Sequence, residues 1–270
     1  MCIKILKKIE EKRNSPYYFF KFLVFIKDIL WTIYDYKNDY FIYPYLRYFF
    51  YRVTYLFNSE RVENKLFLKE LPLFLCINLK KEQARKKFMS EQFVNKKINY
   101  SFFDAIEVIK RSQKKAYSKL SEKELGCFLS HKHIWNYMVK KNIPSLIVCE
   151  DDIKIVGNKK SIFEALTNIP DDAEIFYLDI RENKINYLNK YHSKFLGKYL
   201  LGTSFYFITL SGAKKLLNFS RRINKPVDTY IGDLALRDKL KLYLSSKPLA
   251  IHLSADRRGL YSKFGSTIFP

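Results

Sequence analysis

From residue 73 onward, apolar positions along the chain fall into two alternating patterns. Short continuous apolar runs read as strands buried on both faces. These are LFLCINL (73–79), a stretch near 98–104, SLIVCE (145–150), EIFYLDI (174–180), TSFYFIT (203–209) and a last run near 248–253. Between them lie segments of helical period: near 80–92, from Ser121 onward, near 160–167, from Ser211 and near 227–240. The best-marked helix begins at Ser121, because Ser121 and Glu124 have the spacing of a capping box. At about 100° per residue, Cys127, Phe128, Ile134, Trp135, Met138 and Val139 share one apolar face with His131 at its centre. Ser130 and His133 point elsewhere on that reckoning. Ser211 looks like the cap of its own helix. Alternating strands and helices imply an α/β sheet with right-handed crossovers.

The first 70 residues follow another rule. MCIKILKKIEEKRN is charged throughout and lacks the apolar core of a secretory signal. Residues 17–57 are dense in aromatic rings, but Lys21, Lys27, Asp28, Asp35 and Arg47 interrupt every window long enough to span a bilayer. Rings mixed with basic residues suit an interfacial helix on anionic lipid; packing on the domain or on a second subunit is the other reading. Pro44 divides the segment into two helices. The domain boundary is drawn at Glu70-Leu71-Pro72, giving a helical extension over 1–70 and one α/β domain over 71–270.

Composition narrows the function classes. The chain has 270 residues, a formal net charge of +22 and 48% hydrophobic residues, so it can bury a full core and is not disordered. Its positive excess calls for an anionic partner or a solvated lysine surface. Cys2, Cys76, Cys127 and Cys149 show no CxxC spacing and read as reduced core thiols of a cytosolic protein. A basic nucleic-acid-binding protein is one alternative function, but no helix-turn-helix, Gly-rich or RNP-like signature accompanies the charge. Nucleic acid is therefore not the expected partner.

The candidate chemistry sits where SLIVCE ends. Glu150, Asp151 and Asp152 follow one another at the carboxyl end of a buried strand, where open α/β sheets gather ligands. Carboxylates there suit a hard divalent cation, Mn²⁺ or Mg²⁺, that shares a nucleotide diphosphate as ligand. Glu150 and Asp152 are the candidate metal or ribose contacts. Asp151 is set apart, since neighbours in an extended segment point to opposite sides. His131 either packs as a core residue or reaches into the acidic site.

The string GCFLSHKHIWNYMV followed by LIVCEDD resembles glycosyltransferase family 25, the lipooligosaccharide biosynthesis galactosyltransferases. Gly126, Cys127, Ser130, His131, Trp135, Glu150, Asp151 and Asp152 match its landmarks position by position. FLCINLKKEQARKKFM (74–89), FFDAIE (102–107), GTSFYFITLSGAKKLL (202–217) and PVD (226–228) resemble its flanking segments. The likeness covers about residues 71–255.

The resemblance implies a GT-A nucleotide-sugar fold with helices on both faces of the sheet. It also implies transfer of a hexose, most often galactose, from a UDP-sugar with inversion. The acceptor would be a lipid-linked or other cell-surface oligosaccharide. It points to Asp228, in the Pro-x-Asp element, as the base; an ordinary helix N-cap is the alternative. It adds His252 to Glu150 and Asp152 as the third metal ligand; the residues that follow put Arg257, Arg258 and Lys263 near the same place, either as a clamp on the diphosphate or as a free, charged terminus. Asn78, Arg85, Ser130, His131 and Asp151 are expected around the nucleotide. Asp104 and Asp179, ending apolar strands, are candidate sugar ligands or turn caps. A peripheral position on the inner face of the cytoplasmic membrane follows if the N-terminal segment binds lipid, and oligomers are compatible with it. A catalytically silent scaffold for partner transferases is the remaining alternative.

Overall fold

The computed structural model describes residues 66–108, 120–179 and 202–253, with strand backbone also at 185–187 and 192–195. The expectations for residues 1–65, including the aromatic helices and their membrane contact, lie outside the described residues, as do Arg257, Arg258 and Lys263.

The first half alternates as its sequence predicts. Strand β1 (Phe74–Asn78) leads to α1 (Gln83–Asn95), β2 (Tyr100–Asp104), α2 (Glu122–Lys141) and β3 (Ser145–Glu150). Ser121 caps α2 through a complete capping box with Glu124, and Asn142 ends the helix in the left-handed region at φ 51°. A short β4 (Ile153–Ile155) and α3 (Lys159–Leu166) follow. The second half has β5 (Ile175–Tyr177), β6 (Ile185–Tyr187), β7 (His192–Phe195), β8 (Phe205–Thr209), α4 (Leu210–Phe219), α5 (Val227–Leu236), β9 (Leu242–Ser245) and β10 (Ala250–His252).

Eight strands form one sheet in the order β2-β1-β3-β8-β5-β9-β7-β6. β1 pairs parallel with β2 and β3, β5 pairs parallel with β9, and β8 runs antiparallel to both β3 and β5. β2, β1, β3, β5 and β9 therefore point one way, and the sheet is mostly parallel. Alternate side chains feed two cores. Leu75, Ile77, Leu146, Val148, Tyr206 and Ile208 pack with α2, α4 and α5. Phe74, Cys76, Ile147, Cys149, Phe205 and Phe207 pack with Met89 and Phe93 of α1 and Ile162 of α3 on the other face. Continuous apolar strands are what burial on both faces requires.

Several expectations need correction. Thr209, not Ser211, caps α4, accepting from the Gly212 N–H at 3.2 Å. Ser211 instead donates to Glu174 Oε1 at 2.7 Å. The helix expected over 227–240 stops at Leu236, and β9, which sequence patterning did not single out, begins at Leu242. The run near 248–253 does not join the main sheet: β10 pairs antiparallel with β4 in a separate two-stranded ribbon. Ser130 does not point away from the core but is buried on α2. A Cβ at Gly126 would stand 2.6 Å from the Ile106 carbonyl oxygen, so only glycine lets α2 lie this close to the loop after β2. One turn further, Ser130 Oγ accepts the Ile106 N–H at 2.8 Å and donates to the Gly126 carbonyl at 2.8 Å. Gly126 and Ser130 thus fasten that loop to the helix.

Candidate active site

The site assembles where β3 runs out. β3 carries Glu150 to the sheet edge, and the Glu150 N–H donates to the Ser204 carbonyl at 2.9 Å. The chain turns at Asp151-Asp152 and re-enters as β4. Gln92 of α1 holds that return, donating to the Ile153 carbonyl at 3.0 Å and accepting the Ile155 N–H at 2.8 Å. β10 then pairs with β4 so that His252 stands opposite Ile153, and the Leu253 N–H donates to the Asp152 carbonyl at 2.7 Å. This ribbon brings together residues far apart in sequence. His252 Nε2 lies 3.1 Å from Asp152 Oδ1 and 4.0 Å from Glu150 Oε2. One ligand atom from each of Glu150, Asp152 and His252 falls within 4.8 Å of the others.

That donor set fits a divalent cation. Two carboxylates supply hard oxygen ligands, and the imidazole favours Mn²⁺ over the all-oxygen preference of Mg²⁺.

Asp151, in the turn itself, stands outside that cluster. Asn78 Nδ2 donates to its Oδ2 at 2.7 Å and Arg85 Nη1 to its Oδ1 at 3.1 Å, all three side chains being buried. Burial pushes the Asp151 carboxyl up to about 6, against the lowering pull of Asn78 and Arg85. Arg85 Nη1 also lies 3.8 Å from Asp152 Oδ2. Asn78, Arg85 and Asp151 therefore form a clamp beneath the acidic turn.

His131 is both a core residue and a site neighbour. Its side chain is fully buried on α2, with Nε2 3.4 Å from Glu150 Oε1 and Nδ1 2.8 Å from the Tyr206 hydroxyl. Cys127, read as a plain core thiol, is instead half-buried beside the site, 3.8 Å from Glu150 Oε1. Burial first, then the charges of Glu150 and Asp228, push its thiol well up, so it stays protonated. Asp228 is thus within electrostatic reach of the Cys127 thiol.

Asp228 does not cap α5. Pro226 occupies the cap position and Asp228 the first turn, where its Oδ2 accepts the Gly202 N–H at 3.0 Å and its Oδ1 the Thr229 N–H at 2.6 Å. Gly202, at φ 77°, adopts the left-handed backbone that glycine favours. Asp179 accepts from Ser204 Oγ directly behind Glu150. Asp104 is exposed at the end of β2 and pairs with Lys80 at 3.2 Å. Ser130 spends its two polar contacts on the Ile106 N–H of the loop after β2 and on the Gly126 carbonyl of α2.

Sequence reasoning did not single out Tyr206, Gln92 or Ser204. Tyr206 left one legible signal: it alone carries a polar atom in the apolar run FYFI, and a buried phenol needs a partner. Gln92 and Ser204 left none, because each meets partners distant in sequence, Gln92 the backbone of β4 and Ser204 Glu150 and Asp179.

Comparison with known proteins follows the same segments. The family model described as glycosyltransferase family 25 (LPS biosynthesis protein) matches residues 72–231. A Haemophilus influenzae protein bearing a provisional glycosyltransferase name is 31% identical over 61% of this chain and 62% of its own length. Procollagen galactosyltransferase 1-A of Xenopus laevis is 27% identical over 64% of this chain and 32% of its own. The chain thus spans less than two thirds of the length of these relatives. Among solved structures, a glycosyltransferase involved in the glycosylation of the major capsid of PBCV-1 aligns with a TM-score of 0.36 and 12% identity, over 56% of this chain and 66% of that one.

Proposed function

The chain belongs to glycosyltransferase family 25, and from that membership we propose that it moves a hexose from a UDP-sugar to a lipooligosaccharide or other cell-surface glycan, with a bound divalent cation and inversion at the sugar. The observation that carries this reading is the convergence of Glu150 Oε2, Asp152 Oδ1 and His252 Nε2 at the carboxyl edge of the sheet. Galactose is the favoured sugar because several of the relatives are named as galactosyltransferases.

Glu150, Asp152 and His252 would hold Mn²⁺. Bound there, the cation supplies the positive charge that offsets the growing negative charge of a leaving diphosphate. The protein's own part is to fix those ligands: Arg85 and Asn78 hold the turn through Asp151, Gln92 holds β4, and β10 delivers the imidazole. Asp228 is the proposed base, taking the proton of the acceptor hydroxyl on the face opposite the leaving group.

A thermal melt with UDP, with and without Mn²⁺, tests the reading. UDP at about a hundred times its dissociation constant should stabilise the fold by about 2.7 kcal/mol. In a domain of this size that raises the midpoint by roughly 5–10 °C. We expect the shift to need Mn²⁺ and to vanish in Asp152→Asn. No shift in the wild type under either condition would overturn the proposal.

The N-terminal segment adds a peripheral membrane contact to it. Among the described residues no helix is long and apolar enough to cross a membrane. A basic residue near an anionic surface contributes about 1 kcal/mol. Reversing Lys21, Lys27 and Arg47 to Glu should therefore weaken cosedimentation with phosphatidylglycerol vesicles by at least about 100-fold. Unchanged cosedimentation would remove the membrane contact.

A further inference from the structure

The two oxygens of Glu150 face different neighbours. Oε1 lies 3.4 Å from His131 Nε2 and 3.8 Å from Cys127 Sγ, whereas Oε2 faces His252 at 4.0 Å. Behind His131 the polar atoms form one chain. Trp135 Nε1 lies 3.2 Å from the Tyr206 hydroxyl, and that hydroxyl lies 2.8 Å from His131 Nδ1. All three rings are buried.

The donor count gives this chain a direction. An indole N–H only donates, so the Tyr206 oxygen accepts it. The Tyr206 proton then points to His131 Nδ1, which must accept. With Nδ1 accepting, a neutral imidazole carries its proton on Nε2, and Nε2–H donates to Glu150 Oε1. The reverse tautomer would aim two donors at the Tyr206 oxygen and turn the Nε2 lone pair toward a carboxylate. Burial keeps the Tyr206 phenol protonated, which agrees with the forward direction. Cys127 Sγ, 3.8 Å away, adds a second donor on Oε1. The alternative use of Cys127, His131 and Glu150 is a site for a soft metal. It needs a bare Nε2, which the direction of the chain denies.

We propose that Trp135, Tyr206 and His131 form a buried positioning relay that fixes the Glu150 carboxylate through Oε1 and so leaves Oε2 alone to serve the cation site. Sequence matching gave His131 a place beside the nucleotide; the relay makes it a positioning residue instead. It explains why an imidazole and an indole lie one helical turn apart on α2, opposite a tyrosine of β8. The part that concerns Oε2 rests on the proposed metal reading, whereas the relay itself does not.

Two measurements test it separately. In metal-free full-length chain with ¹⁵N-labelled histidine, long-range ¹H–¹⁵N correlations report the tautomer, and His131→Gln identifies the His131 signals. The relay requires protonated Nε2 in the wild type, with that preference lost in Tyr206→Phe. A wild-type His131 protonated on Nδ1 would overturn the relay. Mn²⁺ affinity is then read by electron paramagnetic resonance of the free ion, without turnover. Removing the partner of a ligand's orienting group typically weakens metal binding about 10- to 100-fold. Tyr206→Phe and His131→Leu should show that loss, and His131→Gln, which keeps an N–H donor for Oε1, should recover most of it. Wild-type affinity in Tyr206→Phe would overturn the positioning role. A wild type that binds no Mn²⁺ would instead sink the metal reading and the Oε2 clause with it, the tautomer still deciding the relay.

Discussion

Asp228→Asn is expected to lower kcat by about 10²- to 10⁴-fold, the usual span for losing a positioned general base. The Mn²⁺-dependent UDP shift should stay near its wild-type size, because Asp228 is no part of the Glu150, Asp152 and His252 cluster. The substitution is gentle on the fold. Asparagine keeps one carboxamide oxygen, so of the Gly202 and Thr229 N–H groups that Asp228 accepts at 3.0 Å and 2.6 Å one keeps its acceptor, and Pro226 still stands at the cap position of α5. The residue is held from two sides by backbone N–H groups while its charge reaches the Cys127 thiol beside Glu150. A carboxylate held in a fixed orientation is what the proposed proton abstraction needs. Measuring kcat and the UDP-dependent melt on one preparation separates base from binding residue. A kcat within threefold of wild type would move the base elsewhere, and loss of the UDP shift would make Asp228 a donor ligand.

Much of this architecture was legible because local signals agreed with the tertiary outcome. The Ser121/Glu124 box set the start of α2 to the residue, and SLIVCE, apolar on both sides, became a central strand. The acidic triplet divides into Glu150 and Asp152 beside His252 and Asp151 beside Asn78 and Arg85, but it does so across a turn, which strand alternation does not describe. His252 lay in a legible apolar run, but its meeting with Asp152 depends on β10 pairing with β4, and no local pattern reports such a partner. The Ser211 error has a plain cause. Ser and Thr both cap helices well, and Thr209, two positions earlier, ended the strand and took the role. Ser130 misled through angular reckoning, since the loop after β2 covers a flank of α2 that apolar periodicity marks as outward. Arg85 and Asn78 were legible only by likeness, which placed them at the nucleotide, and their bonds to Asp151 left no local signal.

That difference in Arg85 gives the largest expected effect on stability. Arg85→Met should destabilise the fold by about 3–5 kcal/mol at pH 8, because removing one member of a buried ion pair strands the other. Asp151 would keep only the Asn78 amide, at 2.7 Å, in a pocket that already pushes its carboxyl up to about 6. Loss of the guanidinium raises that value further. The sign follows from linkage. An unfolded Asp titrates near 3.9, so a folded value above it means that the folded state takes up a proton first as pH falls. The deficit of the variant is therefore full at pH 8 and narrows as pH drops through the raised Asp151 value. Denaturant melts at pH 8 and pH 5.5 read both points, and Arg85→Met combined with Asp151→Leu should recover much of the loss, since an apolar pair strands no charge. A loss under about 1 kcal/mol at pH 8 would remove the clamp and return Arg85 to the nucleotide, where the variant would raise the donor KM and leave the melt unchanged. Because Arg85 Nη1 also stands 3.8 Å from Asp152 Oδ2, the clamp predicts that the stability deficit and weakened Mn²⁺ binding arise together. The same cation that anchors Asp151 from below holds the turn from which Asp152 faces His252.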